Sequence, residues 1–377
     1  MAGVLKNNHP ILLSPPHLCG KEQQLVQDAI QSNWIAPIGP YLTQFEKSIA
    51  TYTHSKYCVA LVSGTSAIHL ALKCVDVKAG EVVFCSTFTF IASANPILYE
   101  NAIPYFIESE ASTWNMCPKA LEKAIIKTIE KQQKPAAIIL VHLYGNPANM
   151  AAIKTIAAQY NIPIIEDAAE ALGSTYHQQA CGSLTAIGVI SFNGNKIITT
   201  SGGGALLTHH EAFAIKTKYL ATQAREKTLH YEHTQIGYNY RMSNVVAAIG
   251  CGQMTVIDER VAQRRANFET YKHSFKDYPI TFQQEMQDTF TNRWLTAVVF
   301  KDQHSKNKVQ EALITQQVEC RPVWKPLHTQ PVFKEALYEG DGFSAQLFEK
   351  ALCLPSGSNL TENEIQKITN IVVDNLA

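Results

Sequence analysis

Lys196 and Asp167 are the two side chains in this sequence whose types and spacing best fit a chemical task. Lys196 lies in Ser-Phe-Asn-Gly-Asn-Lys-Ile-Ile-Thr-Thr-Ser-Gly-Gly-Gly, residues 191–204. Asp167 lies about 29 residues upstream, in Glu-Asp-Ala-Ala-Glu, residues 166–170. An amine can hold an aldehyde as a Schiff base, and a carboxylate can keep a pyridine nitrogen protonated so that the ring draws off electrons. Those are the demands of pyridoxal phosphate. A lysine beside glycines is ordinarily a solvated loop residue, so the assignment depends on its surroundings.

The elements that must position these groups read as an α/β sheet. Short apolar runs at Cys58–Val62, Val82–Cys85, Ile103–Ile107, Ala137–His142, Ile162–Glu166, Gly188–Phe192 and Gly204–Thr208 have strand character. Between them, Ser66–Val75, Pro118–Glu130 and Ala151–Gln159 carry helical spacing. Such alternation predicts a largely parallel sheet covered by helices. Ligands of these sheets gather beyond the carboxyl ends of the strands, which is where Asp167 and Lys196 fall. Asn149 is a plausible N-cap for the helix that follows it. A long helical pattern from about Met254 to Tyr278 leads to a strand at Asn292–Phe300 and a helix at Lys306–Gln317. The expected division is a large domain over residues 1–255 and a smaller α+β domain over 256–377.

Further groups could complete a site. Val-Ser-Gly-Thr-Ser-Ala-Ile-His-Leu-Ala-Leu (62–72) reads as a strand end, a turn and a helix start. Free backbone N–H groups there favour a phosphate, with hydroxyls from Thr65 and Ser66; an ordinary Ser/Thr N-cap looks the same. Ser191 could add a third hydroxyl. Phe88 and Phe90 follow a buried strand. One could stack on a flat ring, although an isolated pair of this kind is more often core. Gly202, Gly203 and Gly204 permit close backbone approach, but they form no dinucleotide fingerprint.

Composition narrows the class. The chain has 377 residues, 46% hydrophobic and 17% charged, with 32 basic and 32 acidic side chains, as in an ordinary globular protein. No basic stripe suggests a nucleic-acid partner. Nine cysteines without a C-x-x-C pattern argue against a zinc site and for free thiols in a reducing compartment. The histidines show no H-x-x-x-H pattern either. Without a signal-like apolar segment at the start or a run long enough to span a bilayer, a cytoplasmic protein is expected.

Six motifs in order resemble one known family. They are Gly-Thr-Ser-Ala (64–67), Thr-Phe-Ile-Ala (89–92), His-Leu-Tyr-Gly (142–145), Glu-Asp-Ala-Ala-Glu (166–170), Ser-Phe-x-x-Asn-Lys (191–196) and Gly-Tyr-Asn-Tyr-Arg-Met (237–242). Their order and spacing resemble the DegT/DnrJ/EryC1/StrS aminotransferases, fold-type-I pyridoxal phosphate enzymes acting on nucleotide-linked keto sugars. Asn-Trp-Ile-Ala-Pro-Ile-Gly-Pro-Tyr (33–41) and Lys-Pro-Leu-His-Thr-Gln-Pro (325–331) extend the likeness over nearly the whole chain.

The resemblance implies Lys196 as Schiff-base lysine and proton shuttle, Asp167 at the pyridine nitrogen and Phe90 on the ring. It implies Thr65, Ser66 and Ser191 at the phosphate, and Asn239 at the phosphate of a partner subunit's cofactor, hence a homodimer with shared active sites. Trp34, Glu170 and His328 are the candidate substrate contacts, and Glu170 also borders the cofactor. His328 could instead be a loop residue packed on Trp324. Glu170 stands where many members carry Gln. With the Asn-Gly-Asn-Lys-Ile-Ile-Thr-Thr-Ser-Gly-Gly-Gly stretch, it resembles the branch that aminates C4 of UDP-linked 2-acetamido-4-keto-6-deoxy sugars, with glutamate as donor. The alternatives are a 3-keto or a dTDP- or GDP-linked 4-keto sugar, a dehydratase of the same family, and a non-catalytic regulator or scaffold. Dehydratases replace the lysine with His; a scaffold has no use for Lys196 and Asp167 together.

Overall fold

Eight strands build the main sheet of this computed structural model, which describes residues 9–376. In spatial order they are Tyr57–Leu61, Gly204–Thr208, Ile187–Ser191, Ile164–Asp167, Pro135–Val141, Val82–Ser86, Ile103–Ile107 and Leu337–Glu339. Only Gly204–Thr208 runs against the rest. The architecture is the expected fold-type-I arrangement, a mostly parallel sheet with helices on both faces.

The strands are apolar throughout because both faces are covered. Along Val82–Ser86 the side chains alternate between two cores: Val82 and Phe84 join one, Val83 and Cys85 the other. Helices start where a side chain can satisfy a free N–H. Ser63 Oγ accepts from Ser66 N at 3.0 Å and opens Gly64–Cys74. Asn149 Oδ1 accepts from Ala152 N at 3.3 Å and opens Met150–Gln159, as expected.

Two expected elements differ. The long helix expected from about Met254 to Tyr278 spans Ile257–Ser274, and the helix before it ends at Met254. Val256 lies between them with non-helical backbone, φ −125° and ψ 11°. The strand expected over Asn292–Phe300 is confined to Thr296–Val299. Residues 291–295 turn away because Asn292 Nδ2 donates to Glu170 O and Leu172 O, both at 2.9 Å, while its Oδ1 accepts from Trp294 N at 2.9 Å.

A second, four-stranded sheet comprises Thr281–Phe282, Thr296–Val299, Ala351–Leu354 and Arg321–Pro322. Its apolar face packs with Tyr271, Phe275 and Ile368 into a separate cluster. The position 255/256 falls in the break between the two helices. Beyond it the chain still returns to the main sheet, where Leu337–Glu339 lies parallel to Ile103–Ile107. Among the described residues no helix is long and apolar enough to cross a membrane.

Candidate active site

A cavity of about 380 Å³ opens beyond the carboxyl ends of the central strands, a size suited to a small molecule. Val141, Asp167 and Ser191, the last residues of three strands, line it together with the start of the Gly64–Cys74 helix.

The structure brings Thr65, Phe90, Asp167, Glu170, Ser191 and Lys196 to one wall or another of this cavity. Asp167 is buried at the end of its strand. Its Oδ2 accepts from Ser93 Oγ at 2.7 Å and its Oδ1 from Ala169 N at 3.1 Å. Burial raises the Asp167 carboxyl above the usual range, and those two hydrogen bonds oppose the rise. Lys196 Nζ lies 3.6 Å from Glu170 Oε1 and 4.0 Å from the centre of the Trp294 ring. Burial lowers the Lys196 ammonium, against the pull of Glu170 and Asp167. Glu170 is likewise raised by burial, with Lys196 opposing. Its Oε2 accepts from Tyr144 N at 2.7 Å.

Phe88 is core, as an isolated pair suggests, but Phe90 is not; half its surface is exposed, and its ring meets Trp324 at 5.3 Å. Ser66 lies just behind the cavity wall. Its hydroxyl is 2.8 Å from that of the N-cap Ser63, so the ordinary capping role and a place beside the helix start coexist. Gly204 is required here, because a Cβ would strike the backbone of Ser63 and Gly64.

Besides Ser66, three sequence candidates lie off the cavity lining. Trp34 is 46% exposed at the surface. Asn239 is also exposed and accepts from Gln223 Nε2 at 3.2 Å. His328 Nδ1 is 2.6 Å from Thr87 Oγ1, and its ring stacks on Tyr338 at 3.8 Å. Burial lowers its imidazolium. Arg241, from the same motif as Asn239, makes an intrasubunit ion pair with Glu46.

Other lining residues were not singled out in the sequence: Ser93, Asn193, Asn195, Trp294 and Trp324. Trp324 immediately precedes the Lys-Pro-Leu-His motif, and Ser93 follows Thr-Phe-Ile-Ala, so adjacency was the available signal. Trp294 had none, since its place depends on the turn made by Asn292. The buried Tyr144 ring packs near both tryptophans, 6.4 Å from Trp294 and 6.3 Å from Trp324.

The donor set fits pyridoxal phosphate. An amine, a carboxylate with both oxygens held, an exposed aromatic ring and a hydroxyl-bearing helix N-terminus surround one cavity.

Comparison with known proteins agrees. The model of the DegT/DnrJ/EryC1/StrS aminotransferase family matches residues 16–373. The chain is 46% identical over 368 residues to the putative pyridoxal phosphate-dependent aminotransferase EpsN of Bacillus subtilis (strain 168), covering 96% of this chain and 95% of that one. It is 33% identical over 350 residues to the GDP-perosamine synthase of Escherichia coli O157:H7, covering 93% and 94%. The fold matches the PLP form of the putative sugar aminotransferase Spr1654 from Streptococcus pneumoniae with a TM-score of 0.89 at 23% identity, covering 98% and 100%.

Proposed function

Because the chain belongs to the DegT/DnrJ/EryC1/StrS aminotransferase family and is a pyridoxal phosphate-dependent sugar aminotransferase, we propose that it moves an amino group from glutamate to C4 of a UDP-linked 2-acetamido-4-keto-6-deoxy sugar. It does so as a cytoplasmic homodimer with shared active sites. Glu170 carries the substrate assignment. A buried carboxylate 3.6 Å from the reacting amine accepts hydrogen bonds from a sugar hydroxyl or an acetamido N–H, whereas Gln would also donate. Trp34 and His328 are proposed as further substrate contacts.

Pyridoxal phosphate, when bound, supplies the aldehyde that carries the amino group and the ring that withdraws electrons from the reacting carbon. The chain's residues do the rest. Lys196 would hold the aldehyde and, once displaced, carry a proton to and from the reacting carbon. Its burial favours the free base that this task needs. Asp167, fixed by Ser93 and Ala169, would face the pyridine nitrogen. Phe90 would cover the ring. Thr65, Ser66 and Ser191 would hold the phosphate, and Asn239 would reach that of the partner's site. The exposed position of Asn239, outside its own chain's cavity, supports that last role.

Likeness to GDP-perosamine synthases favours a second reading, a GDP-linked 4-keto sugar. An assay of UDP-, dTDP- and GDP-linked 3-keto and 4-keto sugars with glutamate decides between them. The expected product is a UDP-linked 4-amino sugar; preference for a dTDP-linked 3-keto sugar would overturn the substrate reading. Sharing of sites is tested by mixing Asn239→Ala with Lys196→Ala subunits. Each heterodimer then has one site free of both lesions, so activity should return; no return after confirmed exchange would place both residues in one chain's site.

A further inference from the structure

Arg264 is buried in the Ile257–Ser274 helix and has no acidic partner among the described residues. It is 1% exposed. Its Nη1 donates to Trp294 O at 2.6 Å and to Ser356 O at 3.2 Å, its Nη2 to Ser14 Oγ at 2.9 Å, and its Nε has no partner. Burial and the neighbouring Arg260 cation push it down to about 9. An uncompensated buried cation is costly, and an apolar side chain of similar length would fill the space more cheaply.

The residues tied to Arg264 explain its presence. The carbonyl of Asn195, next to Lys196, accepts from Ser14 Oγ at 2.7 Å and from Trp294 Nε1 at 2.7 Å. Both of those partners are themselves held by the Arg264 guanidinium. A closed hydrogen-bonded circuit thus joins the N-terminal segment, the lysine loop, the long helix and the 291–295 turn. Trp294 also presents its ring to the Lys196 amine at 4.0 Å.

We infer that Arg264 is a positioning residue for Lys196: through Ser14 and Trp294 it clamps the lysine loop, and its uncompensated positive charge acts on the amine held there. Glu170, whose Oε1 lies 3.6 Å from the amine, and Asp167 favour the charged form of Lys196; Arg264 opposes them, and Trp294 is neutral. Arg264 in turn faces Arg260 on its own helix and acts on His17 of the N-terminal segment. Removing its charge makes Lys196 easier to protonate, so less free base remains near neutrality. A planar, two-pronged donor suits the circuit, and lysine would keep the charge but lose the fork.

This inference rests on Lys196 as the reacting amine, which Lys196→Ala tests separately by loss of cofactor absorbance. The test of Arg264 is competitive acetylation of the full-length chain stripped of cofactor, with the Lys196 peptide quantified by mass spectrometry and the fold checked by circular dichroism. Arg264→Gln should lower Lys196 labelling at neutral pH about threefold or more, with its midpoint moved up, whereas Arg264→Lys should stay within about twofold. Arg264→Met, which matches Gln in length, replaces it if that variant does not fold. The acid limb of kcat/KM should move in the same direction. Ser14→Ala keeps the charge, so it should leave the labelling midpoint in place while the holoenzyme loses cofactor about threefold faster or more. Equal labelling in the neutral and lysine variants, or unchanged cofactor retention in Ser14→Ala, overturns the inference. Labelling reads the amine itself and is indifferent to which sugar the enzyme takes.

Discussion

Glu166 and Asp167 are consecutive carboxylates on one buried strand, and they serve opposite ends. Alternation along the strand sends them to opposite faces. Glu166 Oε1 accepts from His142 Nε2 at 2.9 Å and from Gly182 N, and its Oε2 accepts from Leu184 N at 2.9 Å. Ala148 N donates to His142 Nδ1 at 3.0 Å, which leaves the imidazole proton on Nε2, pointing at Glu166. Cys181 lies in the same cluster, but both histidine nitrogens and both carboxylate oxygens are already engaged. Asp167 has two donors and an open cavity in front of it. Both acids are buried with both oxygens held; the open cavity beside Asp167 is what separates the working one from the structural one.

Substitutions can break this contrast. Lys196→Ala or Lys196→Arg should abolish transamination and leave a folded protein, because guanidinium stays protonated and alanine has no amine. Turnover assays and the cofactor spectrum check this, and near-normal rates in either variant would contradict the assignment. Asp167→Asn should lose about 10²-fold or more in kcat, the equivalent of roughly 3 kcal/mol at a buried ion pair. In the cofactor-free chain it should unfold at no lower urea concentration, since a costly buried carboxylate has been removed.

Glu166→Ala should do the reverse. It strands His142 and two backbone donors, a loss of roughly 3 kcal/mol of stability readable by urea unfolding. The surviving folded fraction should keep most of its turnover per site. A stability change under about 1 kcal/mol would show that Glu166 is not the structural partner described.

The smallest effect is the most informative about Glu170. Its charge favours protonated Lys196, so Glu170→Gln should move the acid limb of the pH–rate profile to lower pH, opposite to the neutral Arg264 variants. It should also change preference among keto sugars more than cofactor retention. An acid limb left in place would mean that the 3.6 Å approach has no electrostatic consequence in the working enzyme.

Local chemistry in the sequence disclosed the strands, because an all-buried parallel strand is an uninterrupted apolar run, and Pro118–Glu130 has the bounds its spacing predicts. The lysine, the aspartate and the helix start were legible for the same reason: each is fixed by the strand or turn next to it. Trp294 and Arg264 were not. Their positions are set by hydrogen bonds across 30 to 250 residues, and no periodicity encodes those.

The edge strand Leu337–Glu339 has a consequence for how this molecule comes into being. It pairs residue 337 with residue 105, so a chain emerging from the ribosome carries most of its sheet long before that border is sealed. Until then the Ile103–Ile107 strand presents a bare row of N–H and C=O groups, the template on which stray chains pair. Nascent chains arrested before residue 337 should therefore depend on chaperones, and synthesis of the chain through that strand to its end should remove the dependence.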